Sequence, residues 1–267
     1  DVFTLAHLSD PHLGPLARFS LRELIGKRAT GYVNWRRKRR HAHDMEILGL
    51  IVADILAQKP DHIACTGDGE GPFMSLLERL EAGKDPTKIP GLYVKTAQGI
   101  IKNDPPPLSD LDENPCPDMD IFDDSYFYQP YLTGEYRIAS YETQRGCPYR
   151  CTYCINEFLQ KKTRGQRRYN RRRSLSKVIS DLKFLKQKYD LDIIRFVDET
   201  FLLFPEEKIR EFSDAYRKEI GLPFFITTRP DGLTVEKTRI LMDMGCTAAS
   251  IGIEHGNHEL REKVLGR

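Results

Sequence analysis

From about residue 137, the chain alternates short apolar runs with longer stretches whose apolar residues recur at helical spacing. The apolar runs predict strands over 137–143, 193–197, 224–227 and 248–253. The helical spacing predicts helices over 174–189, 205–220 and 234–244, and another from about 259. Strands that alternate with helices form parallel sheets. We therefore expect an α/β fold in which residues 136–267 form a partial (β/α) barrel of about four β/α units.

The preceding residues predict a smaller α/β fragment and a connection. Residues 1–68 contain a strand, a helix and a second strand, and polar residues follow both strands. A helix is predicted over 72–82, and residues 84–135 are rich in Pro, Asp and Gly, which is typical of an extended linker. The expected domains are therefore 1–68, 69–135 and 136–267.

Composition narrows the range of partners. The net charge is +2 and 40% of the residues are hydrophobic, which is ordinary for a globular protein and argues against nucleic acid as a partner. Two basic runs, 36–40 and 166–173, are interpreted as solvated surface. The most apolar stretch, 47–57, is short and contains Asp54, so no membrane segment is predicted and the expected location is the cytoplasm.

Three of the six cysteines lie within eight residues, directly after a predicted strand. Cys147, Cys151 and Cys154 have the spacing C-x3-C-x2-C, and their soft thiolates suit iron–sulfur clusters or zinc. Three ligands leave one iron of a cubane cluster open for a further molecule. A zinc site completed by Cys246 or a histidine is the alternative.

The segment from Arg145 to Cys154, with Tyr153 before its last cysteine, resembles the signature of the radical S-adenosylmethionine (SAM) family. The resemblance implies that the three cysteines bind a 4Fe-4S cluster whose open iron chelates SAM. It also implies that one electron, from a reductase, flavodoxin or ferredoxin, cleaves SAM to methionine and a 5′-deoxyadenosyl radical. The radical then abstracts hydrogen from a small-molecule substrate, which the sequence does not identify.

The resemblance continues at the ends of the next three predicted strands, in segments 195–201, 228–231 and 251–256. It implies that the residues near SAM are Tyr153, Asp198, Glu199, Arg229 and Glu254. The alternative for these strand-end residues is a helix-capping role. Residues 69–125 resemble the end of a cobalamin-binding domain, which implies the cobalamin-associated class and adds cobalamin as a candidate cofactor. That class includes methyltransferases and enzymes acting on tetrapyrroles or other natural products.

The first 68 residues resemble a different family, the calcineurin-like metallophosphoesterases. The segments 9–14 and 66–68 match its first two motifs, so Asp10, His12 and Asp68 are implied ligands of Mn, Fe or Zn. The remaining motifs of that family do not follow at its usual spacing. We therefore expect a fusion or assembly chimera, joined near residue 68 and with an incomplete barrel. The alternative functions are a metal-dependent phosphoesterase and a non-catalytic fusion product.

Overall fold

The computed structural model describes residues 63–65, 67–166 and 168–266. The chain divides into two compact units between Pro105 and Pro106. The domain boundaries predicted at residues 68 and 135 stay predictions. No helix in these described ranges is long and apolar enough to cross a membrane.

The first unit contains one helix and a small antiparallel sheet in its described part. These elements are α1 (Glu70–Glu81), β1 (Ile63–Cys65), β2 (Leu92–Thr96) and β3 (Gly99–Lys102). The strand order is β1-β2-β3, and a small core forms from Leu76, Ile89, Leu92 and Val94. The helix predicted over 72–82 is confirmed.

The linker prediction for residues 84–135 is wrong where this hairpin forms. Leu92 and Val94 alternate with less buried residues along β2, which gives the strand one buried face. Gly99 has a φ of +127°, a conformation that glycine adopts without steric cost, and the hairpin turns there. Turn residues between two short strands therefore gave this segment its linker-like composition.

The second unit is built on a five-stranded sheet in the described residues. The strands of this sheet are β4 (Tyr128–Tyr131), β5 (Gly134–Tyr141), β8 (Ile193–Phe196), β9 (Phe224–Thr228) and β10 (Cys246–Ile251). Two further strands, β6 (Gln144–Arg145) and β7 (Arg171–Arg172), form a separate two-stranded ribbon. The order is β10-β9-β8-β5-β4, and every pair in it is parallel except β4 with β5. The sheet curls into a half-barrel, which confirms the predicted partial α/β barrel.

The connections of this sheet are helical, as its parallel order requires. The helices are α2 (Ile155–Lys162), α3 (Leu175–Tyr189), α4 (Glu206–Glu219), α5 (Val235–Met244) and α6 (His258–Lys263). Single helical turns lie at Leu111–Glu113, Asp124–Tyr126, Phe201–Leu203 and Pro230–Gly232. The helices predicted over 174–189, 205–220 and 234–244 are confirmed within a residue or two at each end.

One face of the sheet carries the core. Helices α3, α4 and α5 contribute buried apolar residues that pack against alternate residues of β5, β8 and β9. An aromatic cluster occupies the centre, formed by Phe196, Phe201, Phe212, Tyr216 and Phe224. This packing fixes the sheet from one side and so supports the strands from whose ends the loops leave.

Candidate functional site

The carboxyl ends of β5, β8, β9 and β10 meet at one edge of the sheet, because these strands are parallel. The cysteine loop follows β5 and the short β6 at this edge. Asp198 and Glu199 follow β8, and Arg229 follows β9. The structure thus places the cysteine loop, Asp198, Glu199 and Arg229 at one edge of the sheet.

Gly146 sets the course of the loop directly before its first cysteine. Its φ is +86°, and a Cβ atom there would lie 2.6 Å from the carbonyl oxygen of Tyr169. The Gly146 carbonyl accepts a hydrogen bond of 2.6 Å from Asn170 Nδ2. Only glycine combines this conformation with so close a backbone approach. The Gly-Cys pair in the sequence was the available signal for this requirement.

Helix α2 and the segment after α6 hold the loop from either side. Gln160 Nε2 donates to the carbonyl oxygens of Cys147 and Tyr149, at 2.8 Å in both cases. The Thr152 amide donates to the Leu265 carbonyl at 3.1 Å, which ties the loop to the residues after α6. None of these anchors was predicted, because their partners lie at distant positions or carry no motif.

All three thiols of the loop are free of disulfides, and Cys147 and Cys151 are buried. Burial, with the nearby charge of Glu199 and the other two thiols, raises the pKa of Cys147. Cys154 Sγ accepts a hydrogen bond of 3.4 Å from Asn156 Nδ2. Three free, soft ligands in eight residues fit an iron–sulfur cluster, whose positive iron would stabilise the thiolates.

The zinc alternative completed by Cys246 is wrong. Cys246 is the first residue of β10 and pairs with Phe224, the first residue of β9, so it lies at the amino edge of the sheet. The cysteine loop lies at the opposite, carboxyl edge. In the described ranges, no group of three or more His, Cys, Asp or Glu side chains is arranged to hold a single metal ion.

Arg229 connects the third strand end to the cysteine loop. Its Nη1 atom donates to Cys151 Sγ at 3.4 Å, and its guanidinium lies 3.8 Å from the centre of the Tyr149 ring. Its Nε and Nη2 atoms each donate to Asp231 at 2.9 Å. This fixed positive charge stands beside a predicted cluster ligand, where it can stabilise a thiolate or meet a ligand carboxylate.

Asp198 lies beneath the loop, and only 1% of its surface is exposed. Its Oδ1 atom accepts hydrogen bonds from the Thr143 amide and hydroxyl, both at 2.9 Å, and from the Gln144 amide at 2.6 Å. Burial raises the pKa of this carboxyl to about 7. Its Oδ2 atom is buried and has no hydrogen-bond partner in the described residues, and the predicted contact of Asp198 with SAM stays a prediction.

Glu199 is exposed at the same edge, and its carboxylate accepts a hydrogen bond from the Gly146 amide at 3.0 Å. Tyr153, 52% exposed, lies in the loop itself. Glu254 lies three residues beyond β10 and has a φ of +65°. The predicted contacts of these three residues with SAM stay predictions.

An open cavity of 270 Å³ borders Arg229. Its other lining residues are Pro230, Asp231, Ile253, His258, Arg261 and Glu262. Sequence reasoning missed the contribution of α6, whose polar residues look like ordinary helix surface.

The second predicted metal site lies in the first 68 residues. Its predicted ligands Asp10 and His12 lie outside the described residues, and Asp68 is a half-buried residue of the first unit.

Comparison with known proteins supports the predicted family for the second unit. Residues 141–267 match the family model of the radical SAM superfamily. Over this range the chain is similar to radical SAM domains. Radical SAM proteins use a 4Fe-4S cluster and SAM, so the two cofactors that the sequence predicts are those of this superfamily. The comparisons give no support to a metallophosphoesterase fragment.

Two curated relatives that the chain matches are named as methyltransferases. The chain is 27% identical over 201 residues to an uncharacterized methyltransferase, PH0819, of Pyrococcus horikoshii. It is 25% identical over 232 residues to the cytidylyl-2-hydroxyethylphosphonate methyltransferase of Streptomyces wedmorensis. Each match covers 74% of this chain but 41% of the relative. The chain therefore spans about two fifths of the length of these relatives.

Solved structures share the fold of the radical SAM domain. The methyltransferase TsrM of Kitasatospora setae, with cobalamin and a 4Fe-4S cluster bound, superposes with a TM-score of 0.55 at 20% identity, covering 74% of this chain and 39% of TsrM. The cobalamin-dependent enzyme OxsB, with aqua-cobalamin and SAM bound, gives a TM-score of 0.57 at 20% identity, covering 82% of this chain and 34% of OxsB.

Proposed function

We propose that this chain binds a 4Fe-4S cluster through Cys147, Cys151 and Cys154 and cleaves SAM reductively to start radical chemistry on a small-molecule substrate. The observation that carries the proposal is the cysteine loop itself. Three free thiols stand at the carboxyl edge of the parallel sheet, with the Arg229 guanidinium hydrogen-bonded to one of them. This is the edge at which β/α barrels carry their active sites.

The chain's own residues would hold the reactants in distinct ways. When bound, the cluster supplies the single electron that cleaves SAM to methionine and a 5′-deoxyadenosyl radical. Arg229 would bind the carboxylate of SAM, since a guanidinium forms paired hydrogen bonds with a carboxylate. Glu199 would accept hydrogen bonds from the amino group of SAM. Asp198 would act indirectly, by keeping the backbone before the loop in place.

More narrowly, we propose that the protein acts as a cobalamin-dependent methyltransferase. It is supported by the named activities of two relatives and by the cobalamin in the TsrM and OxsB structures. The same proposal includes a reductase, flavodoxin or ferredoxin as the electron donor. It also includes a location in the cytoplasm, where thiols stay reduced.

Anaerobic reconstitution with iron and sulfide tests the cluster. We expect about four irons per chain and a brown chromophore. Cys151→Ala should lose most of the iron, whereas Cys116→Ala, which removes a half-buried thiol outside the loop, should retain it. Equal iron in both variants would contradict the ligand assignment.

Incubation of the reconstituted protein with SAM and dithionite tests the chemistry. We expect 5′-deoxyadenosine to form, and Arg229→Gln to retain iron while forming it more slowly. Iron-replete protein that never yields 5′-deoxyadenosine would refute reductive cleavage. Formation of S-adenosylhomocysteine that depends on added cobalamin would support the methyltransferase class, and its absence with active protein would contradict that class.

A further inference from the structure

A second cavity, of 250 Å³, lies on the helix-covered side of the half-barrel, between the first turns of α3 and α4. None of the three loop cysteines lines it. Its apolar wall is formed by Leu175, Val178, Phe201, Phe204, Ile209 and Phe212. The volume is just below the roughly 300–1,000 Å³ of pockets for drug-sized ligands, so the cavity suits a smaller molecule with an apolar body.

Positive charge surrounds the mouth of this cavity, in the side chains of Arg172, Arg173 and Lys208. Two of these charges are already engaged. Arg173 donates to the carbonyl oxygens of Leu111 and Glu142, at 2.6 and 3.1 Å. Lys208 forms an ion pair of 2.6 Å with Glu211, which also lines the cavity.

Arg172 donates fewer hydrogen bonds than Arg173 and lacks the ion pair that Lys208 forms. Its guanidinium lies 3.8 Å from the centre of the Phe204 ring, and Nη2 donates to the Leu203 carbonyl at 3.1 Å. Within the described part of the chain it has no carboxylate partner. Its side chain is exposed at the mouth, and partial burial together with the nearby charge of Arg168 lowers its pKa. The aromatic stack holds the guanidinium flat at the mouth, so its remaining N–H donors are preorganised for an anion.

We infer that this cavity binds a small amphipathic anion, with an apolar body inside and one carboxylate on Arg172. Burial of the body removes apolar surface from water, and the carboxylate supplies the charge that Arg172 lacks. A neutral molecule of the same shape leaves the guanidinium unpaired, and a cation is repelled by it. The inference does not depend on the cluster or on SAM.

Displacement of a fluorescent probe tests the site in the full chain without reconstitution. The probe is 8-anilinonaphthalene-1-sulfonate, an apolar sulfonate, and the competitors are octanoate and 1-octanol. We expect one saturable probe site per chain, and displacement by octanoate at concentrations about tenfold lower than by 1-octanol, since an ionic hydrogen bond contributes at least a factor of ten in affinity.

Two variants locate the site, and circular dichroism verifies their folding. Arg172→Gln should weaken octanoate about tenfold, whereas Arg164→Gln, which removes an exposed charge that does not line the cavity, should leave its affinity unchanged. Leu175→Trp, at a half-exposed lining position, should block the probe by filling the cavity. Unchanged octanoate affinity in folded Arg172→Gln, or unchanged probe binding in folded Leu175→Trp, would overturn the inference.

Discussion

Single residues at the carboxyl edge of the sheet control the shape of the cysteine loop. Gly146 lets the backbone pass close to Tyr169, and Asp198 holds the two residues before Arg145 from below. Neither residue is a predicted cluster ligand. Their substitution should therefore change the stability of the fold and of the loop before it changes any ligand chemistry.

Gly146→Ala should destabilise the protein more than Gly165→Ala, a matched control. Gly165 has a similar φ of +88°, but a Cβ atom there would contact nothing within 4 Å. We expect about 1 kcal/mol for the control, from backbone conformation alone. Gly146→Ala adds a clash with the Tyr169 backbone, which raises the loss to about 2–4 kcal/mol. Urea unfolding measures both, and equal losses would show that the loop relaxes around the added methyl group.

Asp198→Asn should remove a pH-dependent cost of folding. The pKa of Asp198 is about 7 in the fold, against an ordinary value of 3.8, so the folded state favours the protonated carboxyl. The contribution of this carboxyl to the free energy of unfolding is fully present below pH 4 and is lost as the pH rises towards 7. The variant should therefore gain stability over the wild type by about 1.4 kcal/mol per pH unit between pH 5 and 7, with an upper limit of about 3 kcal/mol.

Urea unfolding of the cluster-free protein at pH 5, 6 and 7 measures this change. Asp214→Asn, an exposed carboxyl on α4, serves as the control and should track the wild type at every pH. A constant difference between Asp198→Asn and the wild type would mean that the buried carboxyl titrates normally.

At the scale of elements, local signals set the helices that support the site. Ser174 caps α3, and its hydroxyl accepts a hydrogen bond from the Lys177 amide at 3.2 Å. Gly245 ends α5 with a φ of +101°. The helices predicted over 174–189 and 234–244 begin and end at these positions, because a cap depends on residues within one helical turn. The β2–β3 hairpin was missed, because its strands are short and turn residues dominate its composition.

Ser174→Ala should destabilise the protein by about 1 kcal/mol, since it removes the cap of α3. Ser176→Ala is the matched control: its hydroxyl contacts Ser174 Oγ at 3.1 Å and caps nothing. We expect a loss of less than about 0.5 kcal/mol for the control. Thermal unfolding compares the two variants, and an equal effect would indicate that the Ser174–Ser176 contact, rather than the cap, stabilises the helix.

At the scale of the second unit, the aromatic core keeps the parallel strands in register. Phe196 is 1% exposed, and its ring centre lies 5.0 Å from that of Phe201 and 5.3 Å from that of Phe224. The strand that carries Phe196 leads directly to Asp198 and Glu199. Loss of this packing should therefore lower the stability of the whole unit, including the strand end that carries the site.

Phe196→Ala should cost about 3–5 kcal/mol, the usual loss for a buried aromatic residue. Phe184→Ala, which truncates a ring that is 46% exposed on α3, should cost less than about 1 kcal/mol. Urea unfolding distinguishes them. A small loss at Phe196 would mean that neighbouring rings refill the cavity.

The sequence alone determined the order of strands and helices, the helix caps and the cysteine spacing. These features depend on residues a few positions apart, so periodicity and side-chain chemistry reveal them. The tertiary structure decided which of the candidate residues meet. Arg229 reaches Cys151 across 78 positions, and Asp198 reaches Thr143 across 55. Such contacts follow from sheet order and burial, which no local pattern encodes. The same reason explains why part of one basic run borders an apolar cavity.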